Sequence, residues 1–507
     1  MKRINKKQLR YGGSALALTV LVIAAVVIFN VIVAALAGRY EWMYVDMTRS
    51  PVYDISDDCR AYIDEYVISE MQSGEKITVI FCDDRKNIEA DPNQVYIHDS
   101  VYEVADMFEG KIEIEYLDIW ENPSVAAGYG VSSTTDVVCK YKDRYETMSL
   151  TDFYIFSAAD SVTPVAYNGE KILASCLMRV TQKETPMCYF TANHGETMGD
   201  YAFMRTIVEA GYTIAYIDLS NADIPEDCDL LVTFDPKQDL IVSDGVSELS
   251  EREKLDDYMA NGGKYMVFLS ADTFVSGGRE HFERFLADWG IKYMHSKGAE
   301  GVEECYLIKD SANSVSVDGY QVLSEYSDSS VGKEALEGLK YPNVFKNTTC
   351  ISASDGFVSD GNGNYTDAKT GRRMSPLLVS GGSAEAWAGG RAVARAGDEP
   401  FVLMSMTVNK CANGENSYLI ASASTEFAAE SSMQSAVLGN ARTMTQLIRY
   451  MGKENAPASL TFKTFSGTEI QSLSTNTTNT ITVVMAAIPA LTLTVLGVVV
   501  LVRRKNS

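Results

Sequence analysis

Three absences narrow the chemistry open to this 507-residue chain. It has no G-x-x-x-x-G-K-[ST] segment, so no P-loop of backbone N–H groups can cradle nucleotide phosphates. Its nine cysteines, at positions 59, 82, 139, 176, 188, 228, 305, 350 and 411, form no C-x-x-C and no zinc-like spacing, which argues against dithiol redox chemistry and a structural zinc. Most sit in apolar, strand-like contexts such as Phe81-Cys82 and Met187-Cys188-Tyr189. A small buried hydrophobe is the expected role there, with few or no disulfides. Basic side chains are scarce: 44 Lys and Arg stand against 68 Asp and Glu, a net charge of -24. That balance repels phosphate backbones and excludes sequence-independent nucleic-acid binding. What is present is core material, 46% hydrophobic and 10% aromatic residues, which excludes global disorder, collagen and coiled coil. The length calls for roughly two to four domains.

Charge is distributed unevenly. Eight basic residues occupy the extreme ends, Lys2, Arg3, Lys6, Lys7 and Arg10, then Arg503, Arg504 and Lys505, while every acid lies from Glu41 to Glu469. Residues 1–14 and 503–507 therefore read as basic tails, each abutting an uncharged apolar run, 15–37 and 481–502. Each run reaches the roughly 20 residues that cross a hydrocarbon core. The pattern predicts a protein of the cell membrane, embedded through two transmembrane helices, with both termini cytoplasmic and the main domains extracytoplasmic. Ala35-Leu36-Ala37 before Gly38 has the A-x-A form of a cleavage site. The run is longer than the roughly 7 to 15 residues of a signal h-region, which favours a retained anchor. Two spans form no pore, so in a transport system the conduit and the ATPase are other chains.

Between the runs, the order of elements predicts an α/β protein of two domains. In 47–160, Ser56 is set to cap a helix over 57–71, followed by a strand at 76–82, a helix at 95–108, a strand at 112–117, a short helix at 122–129, and a hairpin about Lys142-Asp143. This β-α-β-α-β-β order is that of a thioredoxin-like domain without its redox dipeptide. Residues 161–465 read as a doubly wound, flavodoxin-like domain resembling class I amidotransferases. Its apolar strands at 186–191, 213–218, 229–234 and 264–269 alternate with helices at 201–210, 250–260 and 280–289, and 291–293 continues the sheet. Residues 300–400, rich in Gly, Ser, Asn and Asp, read as a β-rich insertion with long loops, and core-like sequence returns at 401–407, 418–423 and 441–451. Residues 466–480 read as a linker.

Several segments in order carry a family resemblance. They are Leu9-Arg10-Tyr11-Gly12, Tyr53-Asp54-Ile55-Ser56, Phe190-Thr191-Ala192-Asn193-His194-Gly195-Glu196, Asp229-Leu230-Leu231-Val232, the stretch from Leu255 to Lys264 containing Asn261-Gly262-Gly263, and Arg503-Arg504. The chain resembles GldG-type gliding-motility and ABC-transporter auxiliary proteins. The resemblance implies a non-enzymatic auxiliary subunit, working beside a separate ABC ATPase and a multi-span permease, that binds a substrate or a scaffold partner.

The sharpest candidate site is His194-Gly195-Glu196, at the carboxyl end of a strand, where open α/β sheets place ligands. It is a candidate for ligand or partner binding. As base and orienter, His194 and Glu196 would alternatively serve a hydrolase or amidase. Leu269-Ser270-Ala271-Asp272, however, lacks the glycines of a nucleophile elbow. A solute-binding receptor is a third reading. Asp360, Asn362 and Asn364 match the first ligand positions of an EF-hand loop, but Tyr365 stands where the turn glycine belongs and Gly371 where the bidentate glutamate belongs. A hairpin turn is expected there. No catalytic residue, metal or cofactor is assigned.

Overall fold

The computed structural model describes residues 52–156, 162–197, 199–242, 250–274, 278–297, 303–397, 399–435 and 437–465. It is a mixed α/β structure with several sheets, and the described residues from Ile55 onward belong to one compact unit. The first sheet follows from local signals. The Ser56 hydroxyl accepts from Cys59 N at 3.2 Å and opens α1 (Asp57–Tyr66), satisfying one of the N–H groups a helix start leaves free. Apolar β1 (Ile77–Phe81) leads through α2 (Gln94–Met107) to β2 (Ile112–Tyr116), and then to β3 (Val137–Tyr141) and β4 (Arg144–Met148). The strands lie in the order β2-β1-β3-β4, with β1 and β2 parallel and the other two pairings antiparallel. Lys142 takes a left-handed φ of 55° in the two-residue turn between β3 and β4.

Helix α3 (Gly169–Thr181) is buried at every position except Arg179, as befits a helix packed on several sides. It rests on β3, β4, α1 and α2, and meets α4 (Tyr201–Glu209). The large sheet then builds from β5 (Met187–Thr191), β6 (Thr213–Ile217), β7 (Cys228–Phe234), β8 (Lys264–Phe268), β9 (Arg373–Val379), β10 (Val402–Lys410) and β11 (Asn416–Ser422). Five of these strands are parallel, in the spatial order β6-β5-β7-β8-β11; the sheet continues antiparallel through β10 to β9. Helices α4, α5 (Glu251–Ala260), α6 (Glu280–Asp288) and α7 (Asn440–Tyr450) complete the layers. From β5 the chain first runs outward to β6 and then returns to the other side of β5 as β7. The carboxyl ends of β5 and β7 therefore flank the point where strand order reverses.

Two expectations are corrected. Among the described residues no helix is long and apolar enough to cross a membrane, so neither an α/β body set between two transmembrane helices nor the membrane localisation read from them is supported. The runs 15–37 and 481–502, the tails 1–14 and 503–507, the linker 466–480 and the Ala37-Gly38 bond lie outside the described residues. The segment Ile291–Tyr293 joins the same large sheet, but off its parallel path. It pairs antiparallel with Ile351–Ala353, which in turn meets β10 at Val402.

Glu209 ties α4 to α3. Its carboxylate lies 2.5 Å from Lys171 Nζ and 2.9 Å from Arg205 Nε, and all three side chains are largely buried. Burial opposes the charge, yet Lys171 and Arg205 together hold the carboxyl below its ordinary range. Glu209→Ala strands two cations and should lower the unfolding free energy by about 3–5 kcal/mol, read from urea midpoints. Trp120→Ala, at a side chain 80% exposed, should change it by no more than about 0.5 kcal/mol.

Candidate functional site

At the strand-order reversal the chain leaves β5 through Asn193, His194, Gly195 and Glu196. Asn193, at φ 83°, is steadied by its side-chain amide, which donates to Asp218 Oδ2 at 3.0 Å. Gly195 sits at φ 71°, and a Cβ there would lie 3.0 Å from Lys237 Cβ, so both the backbone angle and the close approach call for glycine. The His194 carbonyl accepts from Lys237 N at 2.7 Å and from Gln238 N at 2.9 Å, which ties the loop after β5 to the loop after β7.

The His194 side chain is buried, and both ring nitrogens face carboxylates. Nδ1 lies 3.7 Å from Glu196 Oε1, and Nε2 lies 3.0 Å from Glu251 Oε2. Glu196 Oε2 also accepts from His194 N at 2.6 Å. Glu251 opens α5, where Ser250 and Glu253 form a reciprocal cap and the helix dipole favours an acid. Its Oε2 accepts in addition from Ile241 N at 2.6 Å. Held by Glu196 and Glu251 against the cost of burial, the imidazole keeps its proton, its pKa raised to about 10. Burial acts against the Glu196 charge, but His194 keeps that carboxyl below its ordinary range.

This arrangement is an ionic clasp. At neutral pH the ring carries both protons and has no lone pair to take another, so it is not poised as a general base. The cavity beside it, walled by Thr191, Thr233, Tyr265 and Phe282, is about 20 Å³, room for about one water. Ser270 supplies no nucleophile elbow: its N donates to Thr273 Oγ1 at 2.8 Å in a short turn.

The other singled-out residues lie apart from the clasp. Asp360 Oδ1 accepts from Asn362 N at 2.8 Å and Asn364 N at 3.2 Å, and Asn364 Nδ2 donates to Asp360 Oδ2 at 2.9 Å. The carboxylate is spent on its own hairpin turn, between Phe357–Ser359 and Tyr365–Asp367. Among the described residues no group of three or more His, Cys, Asp or Glu could hold a metal ion. Sequence reasoning missed Glu251. Its one local signal is the Ser250-x-x-Glu253 cap, which marks a helix start but not what that start touches. It also missed a cleft of about 960 Å³ at the amino ends of β7, β8 and β11, walled by Asp229, Asp257, Lys264 and Glu415.

Residues 185–316 match the model of a family described as an ABC-type uncharacterized transport system. The match is in keeping with the GldG-type resemblance. It runs from just before β5 past α6 and so contains the whole clasp. No curated protein matches the sequence. Solved structures with some likeness include mmIFT52 N-terminal domain, 12% identical, covering 52% of this chain and 96% of that one at a TM-score of 0.35. A cytoplasmic protein from Salmonella typhimurium is 9% identical, covering 52% and 98% at 0.30. PurLQS from Thermotoga maritima is 11% identical, covering 53% and 100% at 0.27. At TM-scores of this size no shared fold follows.

The clasp sets a pH dependence. Because the folded pKa of His194 lies above its ordinary value of 6.5, its stabilisation is complete below pH 6.5 and is lost as pH climbs through about 10. Lys453, whose pKa burial lowers to about 8, works in the opposite sense over part of that window. The difference between wild type and His194→Gln therefore isolates the clasp. Urea midpoints of the two proteins should converge between pH 6.5 and 10, and a gap that stays constant would show that His194 is not held charged.

Proposed function

We propose that the chain is a non-enzymatic auxiliary subunit of an ABC-type transport system, acting with separate ATPase and permease chains. The family match over residues 185–316 carries this reading. The clasp supports its non-enzymatic side, since a ring charged at neutral pH offers no base and the cavity beside it admits no substrate. For the same reasons the geometry favours neither the hydrolase nor a solute receptor at this crevice. The proposed partner-binding element is the loop His194-Gly195-Glu196. His194 lies beneath and fixes its shape, while Asn193 and Gly195 are exposed above.

Copurification of the tagged full chain from its host should recover an ABC ATPase and a multi-span permease. Gly195→Ala strains the left-handed backbone and pushes on Lys237, so it should reduce that recovery several-fold while leaving the protein folded. Recovery of neither transporter chain, or a hydrolytic activity that disappears in His194→Gln, would overturn the proposal.

A further inference from the structure

Beyond the large sheet, Leu307–Lys309, Glu385–Ala388 and Arg391–Arg395 form an antiparallel three-stranded sheet in that order. Ile308 and Ala386 are fully buried in the main core and anchor the first two strands. The third returns through Gly389-Gly390, whose φ values of 57° and 73° are those of a two-residue hairpin turn that calls for glycine. Every residue of this third strand, Arg-Ala-Val-Ala-Arg, is exposed, with Val393, 41% exposed, as the extra residue of a bulge. Among the described residues no other strand pairs with its outer edge. That edge leaves backbone N–H and C=O groups for another chain to pair with.

The sign of the charge here runs against the rest of the chain. In these three strands the cations Lys309, Arg391 and Arg395 stand against a single acid, Glu385, whereas the chain as a whole carries a net charge of -24. Arg395 Nε lies 3.0 Å from Glu385 Oε1, but the arginine side chain is 80% exposed, and an ion pair so open to water is worth little. Arg391 has no ion pair among the described residues. The two arginines also select what the edge accepts. Laid antiparallel on a second copy of itself, the strand sets Arg391 of each copy against Arg395 of the other, and like charges placed opposite are destabilising. A strand with carboxylates at those two places meets both arginines with opposite charge, in bonds that charge strengthens.

We propose that the open edge of Arg391–Arg395 is a docking site for an acidic extended segment of a partner protein, which adds to the small sheet as a fourth strand. Main-chain hydrogen bonds along the edge hold the segment, and its carboxylates supply the choice of partner by pairing with Arg391 and Arg395. Arg395 exchanges Glu385 for the incoming carboxylate, while Arg391 gains a partner it otherwise lacks. The site uses no residue of the His194 clasp, lies outside residues 185–316, and does not depend on the proposed role in transport.

The test uses the full chain and three labelled peptides of one length, read by fluorescence anisotropy. They are Glu-Thr-Val-Thr-Glu, its basic counterpart Lys-Thr-Val-Thr-Lys, and Glu-Pro-Pro-Pro-Glu, which keeps both charges but has no internal N–H to donate. The first should bind with a Kd on the order of 0.1 mM at low salt and weaken several-fold at high salt. The basic and proline peptides should each bind at least about fivefold more weakly, since one lacks the charge and the other the ladder. Reversing the edge with Arg391→Glu and Arg395→Glu together should turn the preference round, so that the basic peptide binds better than the acidic one, with the unfolding midpoint retained because both side chains are exposed. If that double variant fails to fold, Arg391→Ala decides alone, and it should weaken the acidic peptide about threefold. No binding of the acidic peptide, equal affinity for either control, an unreversed preference in the double variant, or indifference to Arg391→Ala would each overturn the proposal. So would a dimer of the free chain that the acidic peptide dissociates, since the occupant would then be a second copy.

Discussion

The imidazolium of His194 stands where three chain segments meet at the reversal of strand order: the turn after β5, the loop after β7 and the first turn of α5. One positive charge lies between the carboxylates of Glu196 and Glu251, and burial makes each of the three charges depend on the others. Glu251 at a helix start is favoured by the dipole, Glu196 is folded back on the backbone of His194, and Gly195 supplies the angle that lets the turn close. Remove the charge and two buried acids face each other across the crevice. The parallel sheet is built from apolar strands, but the way its helices and loops meet at this end depends on the clasp.

That dependence bears on function. Open parallel sheets present ligands with a crevice at this point, and here the protein's own side chains fill it. The remaining open spaces lie elsewhere, a cleft at the amino ends of β7, β8 and β11 and a cavity against α3. A sheet whose usual ligand crevice is locked suits a protein that presents a fixed surface to other chains.

Much of the local structure was legible in the sequence, because it rests on signals only a few residues apart. Ser56 caps its helix, Lys142-Asp143 turns the hairpin, and the apolar runs near 187–191, 228–234 and 264–268 are strands within a residue or two of expectation. The stretch 300–400 was harder. It holds β9, a strand of the large sheet with Met374, Leu377 and Leu378 fully buried, yet Ser375 is buried beside them and Pro376 interrupts the pattern. Nearby strands likewise bury hydroxyls, such as Thr407, whose Oγ1 donates to the Trp289 carbonyl at 2.7 Å. Buried polar residues such as these erase the apolar periodicity on which sequence reading relies. The candidate site was half legible for a related reason. His194 and Glu196 are neighbours in sequence, whereas Glu251 is brought in only by the fold.

The state of the His194 ring is the most direct measurement of the clasp. Nitrogen NMR of histidine-labelled full-length protein, assigned by His194→Gln, reports protonation at each ring nitrogen separately. A charged clasp predicts that both His194 nitrogens stay protonated from pH 6 through 9 and that the ring titrates near pH 10. A ring that titrates near 6.5, with one nitrogen bare at neutral pH, would contradict the clasp and return His194 to the candidates for a general base.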